Sequence, residues 1–567
     1  MKTQSRMKPT QDSSNTTTFN TTAFDITTIN SDINNKIDNN TNINNNNTRR
    51  ISNSNNTNNN YEYGYSSPKN NIEKKIKSGT FKIAVYGLGH IGAPLASVWL
   101  RQGAHVIGVD KSSKVLENAK IGKTHLQLEP GVNEAFTKGI EENRFEVYED
   151  LVKASLDSYF KMICVPVLLG AANGSEVVVA ADLTAIKDVA ISIGKGLKKF
   201  DVVALNPSVP PGTTEEIVLP ILEKESGLKV ERDFYLIYNP ERIYEGRAIE
   251  DIEQRYPAIV SGAGGRSVNI GIKIYSIIFK KGVLAMSSIR TAETEKLLEG
   301  VYRDVNIALA NELAKFCEKI GVDFWEARDA ANSQPFCHIH KPGVGVGGAC
   351  IPVYPQFILH TADRIKIDCN ITRMSRNIND SMPAYCVEQA IKLLEGQEGQ
   401  EEEEMNNDSK KKKGREQLQK GFVNNKSSSS GGGNDDKEKE EVIITLLGLA
   451  FRGGVSDTRS SPTYKVIEEF QKLMKVKEIR IHDPLVIKDP TLSAGKQNII
   501  LTSNLNESIQ GADLVMLIAD HPEYRTLTSA DLGGIPVYDG RGILDRSKFD
   551  SHLAFASIGV GNQTGKS

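Results

Sequence analysis

Phe81-Lys82-Ile83-Ala84-Val85-Tyr86-Gly87-Leu88-Gly89-His90-Ile91-Gly92 is the stretch that decides the fold. A short apolar run rich in strand formers ends in a glycine turn, and helical spacing begins at once over 93–102. Gly87 allows the tight turn, Gly89 lets the backbone approach a pyrophosphate, and Gly92 lets helix and strand pack closely. Leu88, His90 and Ile91 complete the turn, and the helix start behind it offers free N–H groups to phosphate oxygens. Residues 104–109 read as the next buried strand, closed by Asp110, 18 residues after Gly92. Strand, turn, helix, strand and acid in that order predict a dinucleotide-binding unit. The Asp110 carboxylate can accept from a ribose 2′-hydroxyl and would repel a 2′-phosphate, so NAD is expected rather than NADP, with the adjacent Lys111 the one feature on the other side.

Outward from this unit the pattern persists. Residues 161–165, 202–205 and 234–238 read as buried parallel strands, with helical spacing between them, as at 183–197. Thr291 to Ile320 predicts one long helix with Leu297, Val301, Val305, Ala308 and Leu309 on its apolar arc, stopped by Gly321. Strands follow again at 442–447, 478–481, 514–518 and 536–538. The fold class is therefore α/β: two Rossmann-like, doubly wound parallel-sheet domains joined by a long central helix and a helical region. We divide the chain into a nucleotide-binding domain over 79–275, a central helical domain over 276–395 that carries the cysteine loop, and a C-terminal α/β domain over 441–560. Residues 1–78, dominated by Asn, Thr and Ser, are expected to form a disordered tail, because they bury too little apolar surface to offset their ordering entropy. Residues 396–440, with runs of Glu, Lys, Ser and Gly, are expected to be a flexible charged insertion.

Composition narrows function by exclusion. A net charge of −2 provides no global basic field to recruit nucleic acid or an acidic membrane. No apolar run approaches the roughly 18 residues of a membrane helix, and the N-terminus lacks the apolar core of a secretory signal. The cysteines at 164, 317, 337, 350, 369 and 386 have no metal-finger spacing; they predict a reducing, cytoplasmic setting and no metal site. Cys337 beside His338 and His340 lacks further ligands at a sensible spacing.

Cys350 stands apart from the other thiols, because Gly343, Gly345, Gly347 and Gly348 precede it and Pro352 follows. So many glycines predict a loop that touches a ligand. A hydride acceptor and an accessible thiol in one chain point to oxidation through a covalent thiohemiacetal. On the long helix Lys296 shares a face with Gly300, Arg303 and Ile307, either a solvated face or a cationic one turned into a site. Tyr238-Asn239-Pro240-Glu241-Arg242-Ile243-Tyr244-Glu245-Gly246 follows a strand and so falls at the carboxyl edge of the sheet, with acids for proton transfer and an arginine for an anion.

These residues resemble the UDP-glucose/GDP-mannose dehydrogenase family of nucleotide-sugar 6-dehydrogenases. The likeness runs through Val209-Pro210-Pro211-Gly212-Thr213-Thr214, Asn239-Pro240-Glu241-Arg242, Ala292-Glu293 with Lys296, and Gly347-Gly348-Ala349-Cys350. It continues through Gly448-Leu449-Ala450-Phe451-Arg452, Asp457-Thr458-Arg459 and Asp539-Gly540-Arg541. Residues 302–312, 329–332 and 350–353 are similar to the branch that acts on UDP-N-acetylmannosamine and UDP-N-acetylglucosamine. The resemblance implies NAD-dependent four-electron oxidation of the C6 hydroxyl of a UDP-N-acetylhexosamine, UDP-N-acetyl-D-mannosamine foremost, to the uronate for surface polysaccharide or glycoprotein glycans, with Cys350 as nucleophile. It implies Lys296 as stabiliser of alkoxide and oxyanion, and Glu241 in water-mediated acid–base work. By the same resemblance Pro166, Ser208, Glu245 and Arg459 lie near the cofactor. Arg242, Ile243, Arg303, Gly345, Phe451, Arg452 and Arg541 would contact the sugar nucleotide, and the long helix would build a homodimer.

Three positions depart from the family. Tyr354 stands four residues after the cysteine where the family has aspartate, Gly300 replaces a substrate-contacting asparagine, and Val167 replaces a threonine. The first two put the second oxidation and the choice of sugar in question. The competing readings are the same reaction on UDP-glucose or UDP-N-acetylglucosamine, and a catalytically silent protein that binds sugar nucleotides.

Overall fold

The computed structural model describes residues 68–126, 129–170, 180–417, 441–493, 498–550 and 553–561. The first sheet holds β1 (Lys82–Tyr86), β2 (His105–Val109), β3 (Phe145–Tyr148), β4 (Phe160–Ile163), β5 (Val202–Leu205), β6 (Tyr235–Tyr238), β7 (Ala258–Gly262) and β8 (Val283–Ala285). Their order across the sheet is β3-β2-β1-β4-β5-β6-β7-β8. Every pairing is parallel, as expected, except β6 with β7. The chain between those two strands stays at the carboxyl edge, building the loop that contains Glu241 and Glu245, instead of crossing the face as a parallel connection requires.

The second sheet holds β9 (Val442–Leu447), β10 (Val476–His482), β11 (Ile499–Thr502), β12 (Leu514–Leu517), β13 (Val537–Asp539) and β14 (Phe555–Ser557). All its pairings are parallel, in the order β11-β10-β9-β12-β13-β14. In each sheet the strand order reverses beside the first strand, at β1/β4 and at β9/β12, which opens a crevice at the carboxyl ends.

The helices that matter are α1 (Pro68–Lys77), α2 (Gly92–Arg101), α3 (Gly265–Ile278), α4 (Ile289–Ile320), α5 (Tyr354–Ile365), α6 (Asn370–Gln417) and α7 (Pro462–Leu473). Helix α1 corrects the end of the expected tail. Ile76 is fully buried and Ile72 packs beside it on the core of the first sheet, so tertiary burial overrides an Asn-rich composition. The rest of the tail, 1–67, lies outside the described residues. Helix α6 likewise runs into the expected insertion as far as Gln417, through Glu and Lys runs of good helix propensity. Residues 418–440 lie outside the described residues.

Helix α4 begins where Ser288 caps it, accepting from the Thr291 N–H at 3.0 Å, and ends at Gly321 with φ 70°. Its buried stripe differs from the predicted arc: Leu309 is 45% exposed, while Glu293, Lys296, Asp304 and Asn311 are buried. The helix is wedged among other elements, and partners satisfy its polar groups. Asp304 pairs with Arg376 and accepts from Asn379 Nδ2 at 2.8 Å. Asn311 donates to Asn379 and accepts from the Gly343 N–H, both at 2.9 Å. Among the described residues no helix is long and apolar enough to cross a membrane.

Candidate active site

The turn after β1 leaves an open cradle at the start of α2. Gly87 has φ 97° and its N–H donates to the Val109 carbonyl at 2.7 Å. A Cβ at Gly92 would overlap the Gly87 carbonyl, whereas one at Gly89 would meet nothing within 4 Å, so Gly89 borders open space. Leu88 is buried and Ile91 packs on the core, so these two anchor the turn with their side chains. Asp110 accepts from the Leu88 N–H at 2.8 Å and the Ser112 N–H at 2.9 Å, one on each oxygen. Each carboxylate oxygen keeps lone-pair capacity for a hydroxyl. His90 Nδ1 is buried without a hydrogen-bond partner, 3.7 Å from Glu245 Oε1. Burial, reinforced by Arg459, lowers the His90 pKa to about 4, so the ring is neutral at physiological pH. Open cradle, helix start, acid and orphaned ring nitrogen together fit a dinucleotide. Glu245 is pushed up to about 7, first by burial and then by Asp457. Pro166 is exposed just beyond β4.

Cys350 keeps an exposed surface although its surroundings are crowded. Burial and then Glu241 raise its thiol above the ordinary range, against the opposing pull of Lys296, Tyr354 and Arg459. Lys296 points inward, only 9% of its side chain exposed, so the solvated-face alternative does not hold. Its ammonium stands 3.9 Å from Glu241 Oε1 and 3.6 Å from Glu299 Oε2. Glu299 is held in turn by Arg242, whose Nε donates at 2.9 Å. Glu241 Oε2 accepts the Ile243 N–H at 2.9 Å, while the Ile243 side chain packs against the core. A nucleophile, a cation and a carboxylate thus share one recess, which suits covalent attack, oxyanion stabilisation and proton transfer.

The glycines before Cys350 are explained by packing, which corrects the expectation that a ligand alone demands them. A Cβ at Gly347 would lie 2.6 Å from the Ser460 carbonyl and 2.7 Å from Phe451 Cβ. One at Gly348 would meet the Phe451 ring at 3.1 Å, one at Gly345 would meet Pro462 at 3.2 Å, and one at Gly343 would meet Arg541 at 2.6 Å. The loop is a seam against the C-terminal domain, sealed where the Gly348 N–H donates to the Arg459 carbonyl at 2.9 Å. Across this seam Arg452 donates to the Glu245 carbonyl at 3.2 Å and lies 4.1 Å over the Tyr244 ring. Arg541 Nη2 is 3.6 Å from Asp520 Oδ1, and its buried Nε has no partner. Arg459 is clamped by Asp457, Nε to Oδ1 at 2.9 Å and Nη2 to Oδ2 at 2.6 Å.

The fold therefore gathers Cys350, Lys296, Glu241, Ser208, Glu245, Arg459 and the glycine turn in one region. Arg303 is exposed on α4 and acts on His340. Sequence reasoning assigned no role to Glu293, which is fully buried and accepts from the Gly212 N–H, the Thr214 N–H and the Thr214 hydroxyl. A carboxylate on the buried face one turn before Lys296 was the available signal. Ser208, expected beside the cofactor, donates to the Tyr354 hydroxyl at 2.9 Å. Among the described residues no cluster of His, Cys, Asp and Glu could hold a metal ion.

Comparison with known proteins agrees with this geometry. Residues 81–279 match the NAD binding domain of the UDP-glucose/GDP-mannose dehydrogenase family, 290–381 its central domain and 445–546 its UDP binding domain. The UDP-N-acetyl-D-mannosamine dehydrogenase of Pyrococcus horikoshii is 32% identical over 485 residues, 85% of this chain and 100% of the relative. That of Methanocaldococcus jannaschii is 29% identical, covering 85% of this chain and 95% of the relative. The solved structure of the Pyrococcus horikoshii UDP-D-ManNAc dehydrogenase superposes with a TM-score of 0.70 at 29% identity, covering 85% of this chain and 100% of that one.

Proposed function

The chain belongs to the UDP-glucose/GDP-mannose dehydrogenase family and is an NAD-dependent nucleotide-sugar dehydrogenase; within that class we propose that it oxidises the C6 hydroxyl of a UDP-N-acetylhexosamine, UDP-N-acetyl-D-mannosamine foremost, to the uronate through Cys350. The convergence of Cys350, Lys296 and Glu241 beside the glycine turn carries this reading. The names of the relatives from Pyrococcus horikoshii and Methanocaldococcus jannaschii support the choice of sugar.

NAD, held by the turn of Gly87 to Gly92 and by Asp110, supplies the hydride acceptor for both oxidations. In the first, Lys296 stabilises the alkoxide that forms as the C6 hydroxyl loses its proton toward Glu241 by way of water. In the second, the Cys350 thiol passes its proton by way of water to Glu241, which has released the first to solvent, and its sulfur bonds to the aldehyde carbon. The carbonyl electron pair moves to oxygen, where Lys296 meets the charge. Loss of hydride from the thiohemiacetal leaves a thioester, which water cleaves to the carboxylate and the free thiol. Arg452 and Arg541, at the crevice of the second sheet, hold the nucleotide diphosphate, and Phe451 contacts the substrate beside them. A homodimer fits the apolar residues Leu298, Tyr302, Leu309, Phe316 and Ile320 exposed at helical spacing along α4. We place the reaction in the cytoplasm, where reducing conditions keep the Cys350 thiol free.

The test is NADH yield per sugar nucleotide. About two NADH per UDP-N-acetylmannosamine, with little from UDP-glucose, is expected. A higher yield from UDP-glucose or UDP-N-acetylglucosamine would reassign the substrate. Binding without NADH would favour the silent sugar-nucleotide binder. Cys350→Ser should form no acid, and full acid formation by it would end the covalent scheme.

A further inference from the structure

Tyr354 opens α5 one turn after Cys350, and its N–H donates to the Cys350 carbonyl at 3.0 Å. Its ring is buried among Leu297, Val353 and Phe357. Gly300 of α4 lies directly against that ring: a Cβ there would stand 2.5 Å from Tyr354 Cδ2 and 3.1 Å from both Cβ and Cγ. The two departures from the family are thus one feature, a tyrosine admitted by a missing side chain.

The hydroxyl end of the ring is oriented as well. Ser208 donates its proton to the phenol oxygen at 2.9 Å, which leaves the phenol proton free for another acceptor. Tyr354 and Cys350 act on each other's protons in opposite senses, the phenol lowering the thiol and the thiol raising the phenol. Burial, then the negative character of Cys350 and Glu241, hold the phenol well above its ordinary pKa, so it stays protonated. The charged groups facing Cys350 besides Tyr354 are Glu241, Lys296 and Arg459. The Lys296 ammonium also sits 5.9 Å over the Tyr354 ring.

Building on the covalent reading above, we propose that Tyr354 is a catalytic residue of this chain: supported by Ser208 and seated against Gly300, its phenol donates a hydrogen bond to the Cys350 sulfur and stabilises the attacking thiolate. Tyr354 keeps its proton throughout. Its role is to lower the cost of charge on sulfur in a recess where Glu241 opposes that charge.

The experiment follows alkylation of Cys350 by iodoacetamide across pH in the full-length protein, with the modified peptide identified by mass so that Cys337 and Cys369 do not confuse it. Tyr354→Phe leaves the ring in place and removes the hydroxyl, and with it both the donor toward sulfur and the acceptor for Ser208. It should raise the midpoint of Cys350 alkylation by about one pH unit and slow the reaction about tenfold at neutral pH. Ser208→Ala should shift the midpoint the same way by less, and it provides the reading if Tyr354→Phe does not fold. Gly300→Ala, which expels the ring, should shift it at least as far as Tyr354→Phe. A wild-type midpoint in Tyr354→Phe, or in both Ser208→Ala and Gly300→Ala, would overturn the proposal. No turnover enters this measurement, so it is separate from the Cys350→Ser result that decides the covalent reading.

Discussion

Glu293 offers the sharpest test of how the long helix holds the site. Its carboxylate is fully buried and accepts the Gly212 N–H at 2.6 Å on Oε2, with the Thr214 N–H at 2.9 Å and the Thr214 hydroxyl at 2.6 Å on Oε1. Burial raises its pKa, and these bonds to the Thr214 and Gly212 donors pull it back. Glu293→Ala strands two buried backbone donors, each costing about 1–3 kcal/mol, and opens a cavity, for a loss of about 4 kcal/mol. Glu293→Gln retains one acceptor oxygen but turns an amide donor toward one backbone N–H, for a loss of about 2 kcal/mol. Trp99, buried in the core of the first sheet, reports the relevant transition in urea once Trp325 is replaced by phenylalanine. The midpoint should fall in the order wild type, Gln, Ala, with the slope unchanged. Because Glu293 sits one turn before Lys296 and ties down the loop that follows Ser208, kcat should fall in the same order. A loss below about 1 kcal/mol in Glu293→Ala would refute the account, since it would mean that the two backbone donors find other acceptors.

Two further outcomes follow from the cofactor turn. Glu245, with a folded pKa of about 7 against an ordinary 4.5, has its protonated form favoured by the fold. The stability this contributes is full below pH 4.5 and is lost as pH rises toward 7. Glu245→Gln should therefore melt higher than wild type at pH 8 and match it near pH 4; a constant difference across that window would place the effect elsewhere. Asp110→Ala removes an acceptor from Leu88 and the expected partner of a ribose hydroxyl. It should weaken NAD binding on the order of tenfold and narrow the preference over NADP, checked by KM for each cofactor.

What was legible in the sequence followed from local physics. Central strands such as β5 and β9 are short apolar runs buried on both faces, so their reading needs no knowledge of the partner. Strands β3, β7, β8, β11 and β14 were missed. Phe145–Tyr148 mixes Glu146 into an edge strand, and β7 runs antiparallel to β6, as connectivity alone does not foretell. The grouping of Cys350, Lys296 and Glu241 in one recess was foreshadowed because these residue types are rare at such places. Its supports were not, because Glu293, Asp304 and Asn311 look like a polar helix face until their partners on other elements are seen. The glycines around Cys350 were noticed for the wrong reason: the contacts that require them come from Phe451, Ser460, Pro462 and Arg541, about a hundred residues and more downstream.

The two sheets share a strand order yet are suited to different ligands, and one carboxylate in each shows why. Asp110 and Asp483 each follow the second strand of their sheet, and each accepts N–H groups from the loop after the first strand. Asp110 is half-buried and accepts two backbone bonds, which leaves room for a ribose hydroxyl. Asp483 is fully buried and accepts four, from Leu449, Ala450, Leu485 and Val486. Its lone pairs are spent on the fold, so Asp483 has none left for a ribose hydroxyl. On the function proposed above, binding in the second crevice would fall to the cations Arg452 and Arg541, whose charge suits a diphosphate. On the proposed function, a twice-used architecture would thus separate cofactor from substrate by how far one acid in each sheet is already satisfied.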